Sequence, residues 1–217
     1  LLASYNPETG ESARRQTGSF YTPRPIVDHM VDEALKAHLA DALCQRLPRT
    51  SRADAQAGLD ILFAYTEKQH AFSDAEAGAL IAAIDVSSIL DPACGSGAYP
   101  MGILHKLVFV LGKLDPHNEK WRQRQIAKAQ EIEDVQAREA AVAAINADFA
   151  DNALDYGRKL YLIENCIYGT DIQPIAIQIA KLRFFISLIC DQTTHGDKAR
   201  HLGIRPLPNL ETKLGAA

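Results

Sequence analysis

Apolar residues recur along this chain first at helical spacing and then in short strand-like runs. From Pro25 to about Leu47, residues Ile26, Val27, Met30, Val31, Ala34, Leu35, Leu39 and Leu43 repeat at intervals of three and four. That spacing predicts an amphipathic helix with proline in its first turn, closed by Pro48. A second helical stretch is expected over roughly Gly58 to Gln69, and Ser73-Asp-Ala-Glu76 has capping-box form ahead of Leu80, Ile81 and Ile84. The pattern then changes. Val86 to Leu90 reads as a short buried strand, Asp91 to Gly97 as a turn and Ala98 to Leu111 as a helix. Residues 112–160 interrupt this order: Asp115 to Asn118 is turn-like, and Lys120 to Phe149 is alanine-rich with charges of both signs, which predicts an inserted helical hairpin. Beyond it, Cys166 to Thr170 suits a second buried strand, Pro174 to Cys190 a helix with proline in its first turn, and Leu210 to Leu214 the start of a third strand. Residues 1–17 and Thr193 to Pro208 read as loop.

Strands alternating with helices make the expected fold α/β, with an incomplete sheet and helical additions. Its expected parts are a leading loop over 1–17, a helical N-terminal part over 18–85, and a partial α/β domain over 86–217 carrying the insertion at about 112–160. A 217-residue chain that is 47% hydrophobic and 23% charged can bury a core. The longest apolar run, Ile103 to Leu111, is interrupted by Lys106 and falls well short of the roughly 20 residues of a membrane span, so no membrane association is expected. The first residues lack an initiating Met and the basic and apolar regions of a signal peptide, and read as a processing boundary. The four cysteines are widely separated with no CxxC pair, which fits a reducing cytoplasm. The net charge of -4 argues against a module that grips DNA phosphates on its own. Seven histidines show no metal-ligand spacing, and no metal is expected. Trp121, beside Arg122 and Arg124, reads either as a contact to DNA or a partner, or as one buried Trp on a solvated helix.

The chemistry concentrates in three places. Asp91-Pro-Ala-Cys-Gly-Ser-Gly97 follows an apolar strand and opens a helix, where Gly95 and Gly97 let the backbone approach a ligand and free N–H groups are expected to point outward. Glycines in isolation equally make turns, and Asp91 equally stabilises one. Cys94, with no His or Cys partner nearby in sequence, reads as a packing residue and not a nucleophile. Asp171 follows the second strand, so its carboxylate is expected at the carboxyl edge of the sheet, able to accept two ribose hydroxyls. A nicotinamide-dinucleotide site places its acidic residue about 20 positions after the glycine turn. Here Gly97 and Asp171 are 74 apart, and the insertion accounts for the excess. The third place is Gly18-Ser-Phe-Tyr-Thr-Pro23, whose aromatics alternatively belong to a core and whose Thr22-Pro23 alternatively only starts a helix.

As strings, these elements resemble a known family. DPACGSGAYP is similar to the first motif of the amino-directed, adenine-specific DNA methyltransferases, with Tyr99 in the usual phenylalanine place. Gly18 to Pro23 resembles that family's upstream cofactor motif, and Tyr168-Gly-Thr-Asp-Ile172 its acidic element after the second strand. The resemblance spans residues 18 to about 190 and extends to restriction-modification enzymes with helical insertions, including fused endonuclease-methyltransferases. It implies an incomplete Rossmann-like, S-adenosyl-L-methionine-dependent methyltransferase fold. Under it, Tyr21 supplies a rigid wall, Thr22 holds the methionine carboxylate and Pro23 fixes the chain before the helix. Asp91 meets the ammonium or sulfonium-bearing part, and Ala93, Cys94, Gly95 and Gly97 give backbone contacts. Asp171 takes the ribose and Ile172 packs on the adenine. The family's D/N-P-P-Y/F string is missing, and its nearest relative, Pro206-Leu-Pro-Asn-Leu210, has the wrong order. No catalytic residue is therefore expected in this chain, which reads as a cofactor-binding portion, inactive alone, of an enzyme that methylates the exocyclic amino group of adenine. Double-stranded DNA would be met through parts absent here, and a nuclease or specificity domain or subunit is an implied partner. The alternative is a noncatalytic scaffold that keeps the fold and docks a partner through the insertion. An RNA or protein methyltransferase is disfavoured by the pairing of the upstream motif with DPACGSG.

Overall fold

The computed structural model describes residues 22–151, 154–191 and 210–216. The expected loops at 1–17 and 193–208 and the upstream residues Gly18 to Tyr21 lie outside them. Among the described residues, α1 (Arg24–Arg46), α2 (Arg52–Phe63) and α3 (Asp74–Asp85) precede β1 (Ile89–Asp91) and α4 (Ala98–Leu114). Helices α5 (Glu119–Gln130), α6 (Val135–Asp151) and α7 (Leu154–Asn165) follow, then β2 (Ile167–Asp171), α8 (Pro174–Ile189) and β3 (Lys213–Ala216). The result is a mixed α/β chain, mostly helical, around a parallel sheet of order β1-β2-β3. No helix among the described residues is long and apolar enough to cross a membrane.

Local chemistry explains most boundaries. The Pro23 carbonyl accepts the amides of Ile26 and Val27 to start α1, whose Val27, Val31, Leu35, Leu39 and Leu43 form its buried face. Helix α2 runs Arg52–Phe63, earlier than the 58–69 read from spacing, because the Ser51 hydroxyl caps it by accepting the Asp54 amide at 3.1 Å. It stops at Phe63 because lysines from α4 take its last carbonyls: Lys106 binds Phe63 O at 3.1 Å and Lys113 binds Ala64 O at 2.8 Å. The capping box at Ser73 forms with both reciprocal bonds.

The first strand is shorter and less buried than Val86 to Leu90 suggested. Val86 instead caps α3, and Ser87 turns its buried hydroxyl onto Ile84 O at 2.8 Å, so pairing begins only at Ile89. On this edge strand Leu90 is 63% exposed. The segment Lys120 to Phe149 divides at residues 131–134 into α5 and α6, and a further helix, α7, precedes β2. Trp121 is 1% exposed and stacks edge-on against Tyr161 of α7 at 5.1 Å, so it is the buried anchor of this region and not a DNA-facing ring. Asp85 locks the same region: its carboxylate meets Arg124 at 2.9 Å and Lys128 at 2.8 Å. Third-strand pairing covers Lys213–Ala216, beginning three residues later than Leu210.

Candidate functional site

Strands β1 and β2 are parallel neighbours, with Asp91 in register with Gly169, so Asp91 and Asp171 emerge at the same carboxyl edge. The turn between β1 and α4 passes through Gly95 at φ 53° and Gly97 at φ 85°, a region that strains any residue with a Cβ. The two glycines have different tasks. Nothing lies within 4 Å of a Cβ built on Gly95, whereas one on Gly97 would sit 3.0 Å from the Ala180 Cβ. Gly97 thus lets α8 close on the turn, and Gly95 leaves room for a ligand.

Most of the turn's amides are taken up within the protein, so free amides are found, among the described residues, only at the start of the helix and not along Ala93 to Gly95. Ala93 N donates to Asp91 Oδ1 at 3.1 Å, Cys94 N to Thr170 O at 3.0 Å, Gly95 N to Asp171 Oδ2 at 2.8 Å and Gly97 N to Cys94 O at 2.8 Å. Among the described residues, the amides of Ser96, Ala98 and Tyr99 at the start of α4 have no protein acceptor, and these are the ones a ligand can meet. The reason is tertiary: β2 lies beside the turn and offers Thr170 O and the Asp171 carboxylate as acceptors.

The two carboxylates are set up differently. Asp171 accepts Gly95 N with one oxygen and Gln173 N at 2.8 Å with the other, which ties the turn to β2. Each oxygen keeps a second lone pair, so acceptor capacity for a ligand hydroxyl remains. Asp91 spends only Oδ1, and its Oδ2 is buried without a hydrogen-bond partner among the described residues. Burial, and then the nearby negative charge of Asp171, push the Asp91 carboxyl above its ordinary value against the opposing Ala93 N–H bond. Ile172, 74% exposed beside Asp171, offers an apolar face.

Thr22 meets the turn across a pocket of about 270 Å³, whose lining includes Ala93, Cys94, Gly95 and Ser96. Residues 71 positions apart in sequence, Thr22 and Ala93, are thereby brought together. Pro23 is exposed at the start of α1, serving both as chain constraint and helix start. Tyr21 lies outside the described residues, and Asp91, Gly97, Asp171 and Ile172 frame the turn without lining this pocket.

Asp28 and Arg183, which sequence reading did not single out, also line it, together with Tyr99 of the first motif, His105, read only as a histidine without metal-ligand spacing, and Arg24, read as either a DNA or partner contact or a solvated surface charge. Arg24 and Asp28 pair across one turn at 3.6 Å, a spacing legible in sequence once Thr22 is placed. Arg183 reaches from α8 to donate to Ser96 O at 2.9 Å. Desolvation, and then the charges of Lys159, Arg24 and Arg183, hold His105 below its ordinary value. Burial pushes the Cys94 thiol up to about 11, and its sulfur would stand 3.0 Å from a Cβ on Gly169, so Cys94 packs and does not attack. Among the described residues no group of acidic, His and Cys side chains is arranged to hold a metal. No protein-family model, curated protein or solved structure matches this chain.

Proposed function

We propose that this chain is the S-adenosyl-L-methionine-binding portion of an adenine-specific DNA methyltransferase, built on part of a Rossmann-like sheet. The observation that carries the reading is the meeting of Thr22 with the Ala93-Cys94-Gly95 turn in one pocket beside Asp91, whose Oδ2 is buried without a hydrogen-bond partner among the described residues. Strand order 1-2-3 with a glycine turn after the first strand supports the fold assignment.

The residues fit such a ligand at both ends. Thr22 and the Ser96, Ala98 and Tyr99 amides, which have no acceptor among the described residues, suit a carboxylate, and Asp91 suits the positive charge nearby. Asp171 retains lone pairs for hydroxyls, and the exposed Ile172 side chain suits an aromatic face. When bound, the cofactor supplies an electrophilic methyl group. The contribution of this chain is to hold and orient it, since positioning is the main catalytic resource in such a transfer. Extrusion of the target adenine and its DNA contacts belong to other parts of the enzyme.

One feature favours the scaffold reading instead. Ile175, Ile179, Leu182 and Ile186 form an exposed stripe along α8. Calorimetric titration with S-adenosylmethionine separates the two. Cofactor binding predicts a saturable isotherm weakened at least tenfold by Asp91→Ala and by Thr22→Ala, each checked for retained helical signal. A folded wild-type chain that gives no heat and no thermal shift with the cofactor would sink the methyltransferase reading.

A further inference from the structure

Helix α1, through Val27 and Asp28, and Thr22 just before it carry one wall of the candidate pocket, and α4, which the glycine turn opens, carries the other through Tyr99 and Gly102. The gap between the walls depends on how these helices are held. They touch closely at Gly102, where a Cβ would lie 2.7 Å from Val27 Cγ1, and at Tyr99, whose hydroxyl reaches Met30 Sδ at 3.0 Å. Further from the pocket sits Lys106, 2% exposed, the cation that breaks the longest apolar run. Its Nζ lies 2.9 Å and 3.1 Å from the two Asp32 oxygens, 3.1 Å from Phe63 O and 3.9 Å from the centre of the Tyr65 ring.

An apolar side chain here would satisfy the core at lower desolvation cost. A leucine or methionine, however, has no directional preference, whereas an ammonium with three donors fixes where a carboxylate and a carbonyl must stand. Because Asp32 lies one turn beyond Asp28 on α1, fixing Asp32 also fixes the pocket wall. We infer that Lys106 is the positioning residue that sets the width of the pocket, by clamping α1 and the end of α2 to the helix that starts at the glycine turn. The ligand named in the test rests on the proposed cofactor; the clamp itself does not.

The test compares wild type with Lys106→Met and Asp32→Asn, two variants because either alone can lose the fold. Hydrogen exchange on the ligand-free protein reads the clamp, and affinities for S-adenosylmethionine and 5′-methylthioadenosine, which lacks the amino-acid end, read the pocket. The clamp predicts at least tenfold faster exchange in residues 24–32 with unchanged exchange in α3. It also predicts at least tenfold weaker S-adenosylmethionine binding, with methylthioadenosine affinity within about twofold of wild type. The double variant is expected to match the single ones, as groups acting as a unit do. Exchange in 24–32 unchanged in a folded variant overturns the inference, as does equal loss of both ligands. A wild type that binds neither ligand overturns the cofactor assignment, and exchange then decides the clamp.

Discussion

Asp91 is the residue whose chemistry most directly reports on the site. Its folded carboxyl value is raised above the ordinary one by burial and by Asp171. In the window between the two values the folded chain binds the extra proton, so stability falls as pH rises through it. A cation placed at Oδ2 reverses the shift, because an opposite charge favours the carboxylate. Binding of S-adenosylmethionine within that window is therefore expected to release protons and to weaken as pH falls. Titrations in two buffers of different ionisation enthalpy measure this: observed heats that differ between buffers for wild type, and coincide for Asp91→Asn, are the expected result. Heats identical in both buffers for wild type would place the cation elsewhere. Asp171, by contrast, is committed to Gly95 and Gln173 amides, so its removal should loosen the turn itself as well as any ribose contact.

Among the elements, the helices between α4 and β2 depend on one buried acid. Desolvation raises the Asp85 carboxyl, but the hydrogen bonds from Lys128 and Arg124 outweigh it and leave the value lowered. Its side chain is fully buried while its cationic partners are about two-fifths exposed, and the Gln125 amide, donating at 3.0 Å, is its further side-chain partner. Asp85→Ala is expected to cost about 3 kcal/mol, the lower end for breaking a buried pair, since the released cations can rehydrate. Denaturant titration measures the cost. A loss under about 1 kcal/mol would mean that Trp121 and Tyr161 packing alone holds these helices. Because the folded value is depressed, this stability is present above the ordinary carboxyl range and is lost as pH falls through the lowered value. The acid limb of the wild-type stability curve should accordingly flatten in the variant.

At the scale of the molecule, a single apolar cluster joins the described parts. It runs from Val27 and Leu43 through Leu104 and Trp121 to Ile167, Phe184 and Leu214. Parts that share a core should unfold together. Trp121, the sole tryptophan, sits in α5, far along the chain from the N-terminal helices, and so reports on its own region. Its fluorescence and the far-ultraviolet helical signal are expected to change at the same denaturant concentration. Separate midpoints would show that α5 to α7 form an independent unit. Much of the molecule follows from local chemistry that sequence carries: prolines and 3–4 spacing mark α1 and α8, Ser73 and Glu76 mark α3, and a glycine turn after an apolar run marks the β1–α4 junction. These are interactions among near neighbours, and near neighbours are what a sequence lists. What tertiary structure alone decided depends on residues far apart. Lys106 only interrupts an apolar run in sequence, yet finds Asp32 at a separation of 74 residues. The Cys94 and Gly95 amides of the turn face inward because β2, following α7, brings Thr170 O and Asp171 beside them. Thr22 becomes a pocket residue only because α1 packs on α4. Backbone hydrogen-bond demand and close packing impose those meetings, and neither has a signature confined to one segment of chain.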